Sequence, residues 1–395
     1  MTQYVKPIVL GVVCFALGVA VQSFYDISRL INPQVQTAES PADTPSINLA
    51  QEPLWAYGFE TPAAPGDKAA PQGAPSRNLR PEEDAAEQTR LMRLDGSSAT
   101  YSRVDVRDGS NVIDWWPNDH PPMPDVIKHG PAAGTGNTKR GCGSCHLPNG
   151  RGRPENAPVA GLPVAYFTRQ IENFRNGLRH SADPRKPNTN TMIELAKALS
   201  DEELKAAAEY FGAMKWVPWV RVVETDLVPK TRIVGNLYVA ANHEKSEPIA
   251  GRIIEVPENE EQAEVYRNPR SGFVAYVPVG SIEKGKDLVR TGGATTVGNQ
   301  FVQGKTTPCI TCHGLDLMGV PEAGVPPIVG RSPSYIARQM WDVQQGTRNP
   351  ESAQLMKLAI SKLTPEDLVA IAAYVSSLPP VEVSSQDNKP VASLR

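Results

Sequence analysis

The chain has 395 residues with a formal net charge of -3 at pH 7, which is room for two or three compact domains and no basic excess to bind nucleic acid. Its five cysteines exclude a disulfide-built scaffold, because four stand in two short motifs and the fifth, Cys14, lies in an apolar run. The 37 prolines and 31 glycines exceed ordinary usage, and many of the prolines crowd into one early stretch, as in a linker and not as in a collagen-like repeat.

Residues 1–30 carry the apolar run Pro7 to Phe24, with Lys6 before it and Asp26 and Arg29 after it. Its length just reaches that of a bilayer span. The basic residue ahead of the run favours an uncleaved transmembrane helix; cleavage after Gly18-Val19-Ala20 as a signal peptide is the competing reading. Either way the body of the chain is exported. Residues 31–100 are rich in Pro, Ala, Gln and acidic side chains and read as a tether, with a short polar helix around Glu82 to Leu94, and Trp55 and Tyr57 as candidates to dock on a domain.

The stretch 101–217 contains the first of two C-x-x-C-H pentapeptides, Cys142-Gly143-Ser144-Cys145-His146; the second, Cys309-Ile310-Thr311-Cys312-His313, lies in 280–380. This is the attachment sequence of c-type haem. Two thiols on one helical turn add across the haem vinyl groups, and the adjacent histidine reaches the iron. A dithiol redox pair or half a zinc site would need neither the trailing histidine nor the duplication. The sequence therefore implies two covalently attached haem c groups.

An internal repeat sets the architecture. Pro158-Val159-Ala160-Gly161, Tyr166, Arg169, Gln170, Gly177 and Arg179 recur as Pro327-Ile328-Val329-Gly330, Tyr335, Arg338, Gln339, Gly346 and Arg348, at a constant offset of 169 residues. Ser200-Asp201-Glu202-Glu203 and Thr364-Pro365-Glu366-Asp367 both read as N-caps with acids in the first turn. Between the copies, residues 218–279 alternate β-branched and aromatic runs with Pro, Asn and Gly clusters, predicting a small β-rich insert. A helix over Ile282 to Val289 and a Gly/Thr-rich loop from Thr291 to Pro308 lead to the second motif, and 381–395 reads as a disordered tail.

The sixth iron ligand should occupy matching positions in the two copies. Met192 lies eight residues before Ser200, and Met356 eight before Thr364; no other methionine has such a partner. The axial pairs are therefore read as His146 with Met192 and His313 with Met356. His120, His129 and Met123 are weaker candidates from the Trp- and Pro-rich approach to the first motif. Pro158 and Pro327 follow the histidines by 12 and 14 residues, where a backbone carbonyl could accept the imidazole N–H. Thioether ligation raises the potential above that of a bis-histidine haem. Both irons would be closed to substrate.

These motifs resemble the dihaem cytochromes of the c-four type, built from two class I cytochrome c domains. The resemblance implies a mainly α fold and assigns Tyr166, Arg169, Tyr335 and Arg338 to the haem propionates. The membrane segment with its tether, the insert and the Gly/Thr loop depart from that family. The expected function is a membrane-tethered, periplasm-facing electron carrier at a bacterial inner membrane, free or fixed in a larger complex. It would run between a cytochrome bc-type complex or periplasmic dehydrogenase and a terminal oxidase or reductase. The alternative is a dihaem enzyme such as a peroxidase, with one haem open to ligand; His180 and His243 are spare histidines for that reading. A thiosulfate-oxidising enzyme with a cysteine ligand is harder to support, since the spare cysteine is Cys14.

Overall fold

The computed structural model describes residues 54–55 and 85–380, apart from 184, 185 and 235. The apolar run at Pro7 to Phe24, Tyr57 and the tail lie outside the described residues. Among those described, no helix is long and apolar enough to cross a membrane. The described residues all fall within one compact unit.

Within the stretch that composition marks as a tether, local chemistry builds structure. Helix α1 (Ala85–Thr89) precedes an antiparallel bridge between Met92 and Tyr101. Helix α2 (Arg103–Arg107) is closed by a capping box in which Ser102 Oγ accepts from Asp105 N and the Asp105 carboxylate accepts from Ser102 N. Met92, Leu94, Val106 and Trp115 then form a small apolar core of their own. Further upstream, Trp55 packs on Trp341 at 5.5 Å between ring centroids, and Leu54 O accepts from Ile253 N at 2.5 Å.

The first repeat contains α3 (Asp125–Lys128), α4 (Gly143–His146), α5 (Val164–Arg175), α6 (Pro187–Ala198) and α7 (Asp201–Gly212). Helix α5 buries Tyr166, Phe167, Gln170, Ile171 and Phe174, one stripe at helical period. A Ser200–Glu203 capping box starts α7.

The intervening segment is β structure. Strands β1 (Val220–Glu224), β4 (Ile254–Pro257) and β5 (Phe273–Val277) form a sheet of order β1-β5-β4. β1 and β5 run parallel and β4 and β5 antiparallel. β2 (Leu227–Val234) and β3 (Leu237–Pro248) form a bulged hairpin in the crossover. Trp219, Phe273 and Ala275 pack into the core of the first repeat, whereas Ile253 and Val277 pack into that of the second. The insert is thus wedged between the repeats, sharing apolar surface with both.

The second repeat runs α8 (Ser281–Thr291), β6 (Thr295–Val297), β7 (Gln300–Val302), α9 (Ile310–His313), α10 (Pro333–Gln344), α11 (Gln354–Ile360) and α12 (Pro365–Ser377). The segment read as a Gly/Thr loop thus contains a short antiparallel hairpin, turning at Gly298-Asn299. Helices α8 and α12 touch backbone to backbone at Gly285, where a Cβ would lie 2.0 Å from Ala370 O. In the first repeat the single turn α3 packs on α7. Thr364 and Asp367 form the second capping box. Against the burial that raises it, the Asp367 carboxyl is held down at about 2 by Lys284, Lys305 and the cap; the two lysines lie 2.8 and 2.6 Å away.

Candidate functional site

Each C-x-x-C-H motif forms one helical turn. His146 N donates to Cys142 O at 3.0 Å, and His313 N to Cys309 O at 2.9 Å, which gathers both thiols and the imidazole on one turn. His146 Nδ1 lies 2.8 Å from Ala157 O, and His313 Nδ1 lies 3.0 Å from Pro326 O. A carbonyl can only accept, so each ring carries its proton on Nδ1 and keeps the Nε2 lone pair for a metal. Burial holds both imidazoles below their ordinary value, in the neutral form a ligand requires.

The acceptors lie one residue before the prolines expected to provide them. A residue ahead of proline is confined to extended conformations. Pro158 and Pro327 therefore restrict the backbone that presents the Ala157 and Pro326 carbonyls. Burial lifts the Cys142 thiol to about 12 and the Cys309 thiol to about 11. A redox dithiol needs a depressed thiol, and burial works against that here.

A cavity of about 750 Å³ opens on the first motif, walled by Cys142, Cys145 and His146, by Met192 of α6, and by Tyr166 and Phe211. Tyr335 and Arg338 of the second repeat also line it. In the second repeat Met356 and Cys309 pack against the second core, His313 is half-buried and Cys312 is exposed. Leu315, Leu355 and Leu358, neighbours of His313 and Met356 in sequence, are 74%, 78% and 72% exposed. Exposed leucines of this size, next to a motif that binds a flat apolar macrocycle, fit a surface that the macrocycle covers.

Between the repeats lies a buried polar network. Arg179 donates to Gln170 Oε1 at 2.9 Å and to Gln339 Oε1 at 2.7 Å. Arg348 answers with bonds to Gln339 at 3.2 Å, Gln170 at 3.1 Å and the Tyr166 hydroxyl at 2.6 Å. Although burial raises it, Arg348 and Arg179 pull the Tyr166 phenol below its usual value. Arg169 donates to Gly324 O at 3.1 Å, and Arg338 to Pro154 O at 2.6 Å, so each reaches into the other repeat. Arg338 lines the cavity and Arg169 does not.

Lys186, pushed down to about 7 by burial, and Asp342 line the same cavity. Arg179, Arg338 and Arg348 are buried near the junction, a set of cations of the kind that suits haem propionates. The repeat marks Gln170, Arg179, Gln339 and Arg348 in the sequence; nothing in it marks Lys186 or Asp342.

The remaining candidates have other partners, although His180 also lines the cavity at the first motif. His120 bonds Pro121 O at 2.8 Å and Asp114 at 3.2 Å, and His129 bonds Ser110 O at 3.0 Å. His180 is exposed beside Ser181 O; the His243 side chain is outside the described residues. Met123 packs at the edge of the first core, away from the cavity lining. No cluster of three or more His, Cys, Asp or Glu side chains that could hold an ion occurs among the described residues.

No family model matches the sequence. Cytochrome c-554(548) of Halomonas halodenitrificans is 34% identical over 73 residues, 18% of this chain and 87% of that protein. The chain belongs to the c-type cytochromes. Cytochrome c4 of Pseudomonas aeruginosa is 23% identical over 239 residues, spanning 60% of this chain and 83% of that one. A thiosulfate dehydrogenase electron acceptor of Thiomonas intermedia is 24% identical over 240 residues, 60% of this chain and 78% of its own. With its two motifs, this cytochrome carries two covalently bound haem c groups and is an electron-transfer protein.

Proposed function

We propose that this dihaem cytochrome is a membrane-tethered electron carrier facing the bacterial periplasm, with axial pairs His146/Met192 and His313/Met356. Cys142 and Cys145 hold one haem, and Cys309 and Cys312 the other. The observation that carries the reading is the matched pair of imidazoles, each with Nδ1 committed to a carbonyl and each in a repeat with one equivalent methionine. Bound haem supplies one-electron ferrous/ferric chemistry.

The chain's own residues orient the imidazoles, offer thioethers that favour the ferrous state, and keep water from the first site through Phe167, Phe211 and Leu195. Tyr166, Tyr335 and Arg338, with the other junction cations, would receive propionates. The segment Pro7 to Phe24 would anchor the protein, and the Pro-rich stretch would keep the head near its partners at high effective concentration. A cytochrome bc-type complex or a periplasmic dehydrogenase would be the donor, and a terminal oxidase or reductase the acceptor. The similarity to an electron acceptor of a thiosulfate dehydrogenase supports a dehydrogenase donor.

The test is a spectroelectrochemical titration of the detergent-solubilised protein, with carbon monoxide or peroxide added at full reduction. Two high-potential transitions that ignore both ligands are expected. One haem that binds carbon monoxide or turns over peroxide would replace the carrier with an enzyme.

A further inference from the structure

One side chain touches the supporting loops of both proposed axial histidines. Arg331, 2% exposed, sits four residues after Pro327 and donates from Nε to Pro327 O at 3.0 Å. Its Nη1 donates to Pro158 O at 2.7 Å and its Nη2 to Ala160 O at 3.2 Å, across the junction. Pro158 and Pro327 are equivalent positions in the two repeats. Each directly follows the residue whose carbonyl receives an imidazole proton.

Both the guanidinium and the backbone that carries it are held in place. The guanidinium stacks over Trp216 at 4.5 Å, and the Arg331 carbonyl accepts from Ser376 Oγ at 2.5 Å. Its neighbour Gly330 donates to Val375 O at 2.8 Å. The repeat equivalent of Arg331 is Leu162, so one fork serves two loops and has no twin.

We infer that Arg331 is a positioning residue shared by both haem sites: by holding the Pro158 and Pro327 carbonyls it fixes the two loops whose preceding carbonyls, Ala157 O and Pro326 O, orient the axial imidazoles. The planar fork suits this role, because it binds several carbonyls in fixed directions where a lysine offers one mobile charge. A hydrogen bond to the far nitrogen of a ligating imidazole sets its ring orientation and basicity. A buried cation near both sites also favours ferrous over ferric iron. Removing it should therefore act on both irons in one direction.

This inference rests on His146 and His313 being axial ligands, which the unmodified protein tests first. If they are ligands, both Nδ1 protons show large haem-induced shifts in its NMR spectrum; if they are not, the ligand assignment fails before any variant is made.

The inference is then tested with Arg331→Gln and Arg331→Lys in the haem-loaded protein, the lysine variant serving if the glutamine variant does not fold. Potentiometric titration of Arg331→Gln should show both midpoint potentials lowered, with the ferrous-to-ferric ratio at fixed ambient potential falling by up to about tenfold, or ~59 mV for a one-electron couple. Exchange of both Nδ1 protons should accelerate. In Arg331→Lys the potentials should recover in part while exchange stays fast. A shift at one haem alone, or at neither, overturns the shared role. A lysine that restores slow exchange as well would assign the effect to charge and overturn the positioning role.

Discussion

Arg179 and Arg348 face each other across the junction of the two repeats, paired by an antiparallel backbone bridge, and each guanidinium crosses to the glutamine of the opposite repeat. Two cations placed this way are tolerable because the glutamine oxygens and the Tyr166 hydroxyl accept from them. The flanking backbone bonds, His180 N to Thr347 O and Asn349 N to Leu178 O, both 2.9 Å, hold the crossing. The repeats are thus joined by polar groups with fixed directions as well as by the apolar wedge of the insert.

The Arg348–Tyr166 bond should be energetically coupled. Tyr166→Phe removes an acceptor from a buried guanidinium, a loss of about 1.5–3 kcal/mol for a bond to a charged group. Arg348→Lys removes the fork. In a double-mutant cycle by denaturant unfolding, the coupling should be about 1 kcal/mol. Strict additivity would mean that the bond does not contribute.

Gly285→Ala should destabilise the second repeat. The new methyl would meet Ala370 O and Tyr374 Cβ, and a backbone carbonyl cannot step aside as a flexible side chain can. Overpacking of this kind costs about 1–3 kcal/mol, more than the alanine gains in helix propensity. Unfolding followed at the second haem should move to lower denaturant.

Much of this arrangement is visible in the sequence because duplication exposes it. The C-x-x-C-H motifs, the caps at Ser200 and Thr364, and the Tyr, Gln and Arg positions of the junction recur, and recurrence separates them from chance. Arg331 does not recur, so no comparison of the copies could single it out. The parallel pairing of β1 with β5 joins Val220 to Phe273, far apart in the chain, and local propensity carries no such information. The hairpin at Thr295 to Val302 did leave a signal, Gly298-Asn299 between two β-branched or aromatic pairs, which the surrounding Gly and Thr obscured. Ala157 was hidden for another reason. Its carbonyl, and not its side chain, meets the histidine.

Met192→Ala and Met356→Ala should each remove part of the thioether-to-ferric-iron absorption band and lower one midpoint potential, because the ligand that favours ferrous iron is lost. The two variants should act on different haems, and the double variant should abolish the band. An unchanged band in both single variants would remove the methionines from the irons and return them to ordinary core packing, the commoner fate of the residue.

Glu255 should make stability fall as pH rises from about 4.5 to about 7. Burial lifts its carboxyl from 4.5 to about 7, against the lowering effect of Ser332, Ser334 and Arg338; Ser332 Oγ donates to it at 2.9 Å. Between about 4.5 and about 7 the folded protein binds more protons at this site than the unfolded chain. Stability is therefore highest below the unfolded value, declines across that window and is flat above it. A shift of this size corresponds to up to about 3 kcal/mol. Glu255→Gln keeps an oxygen for Ser332 and removes the titration. Denaturant unfolding at a series of pH values should show the wild-type slope between pH 4.5 and 7 reduced in the variant, with the variant the more stable above pH 7. Parallel profiles would mean that Glu255 is ionised alike in both states and that Arg338 and the serines outweigh its burial.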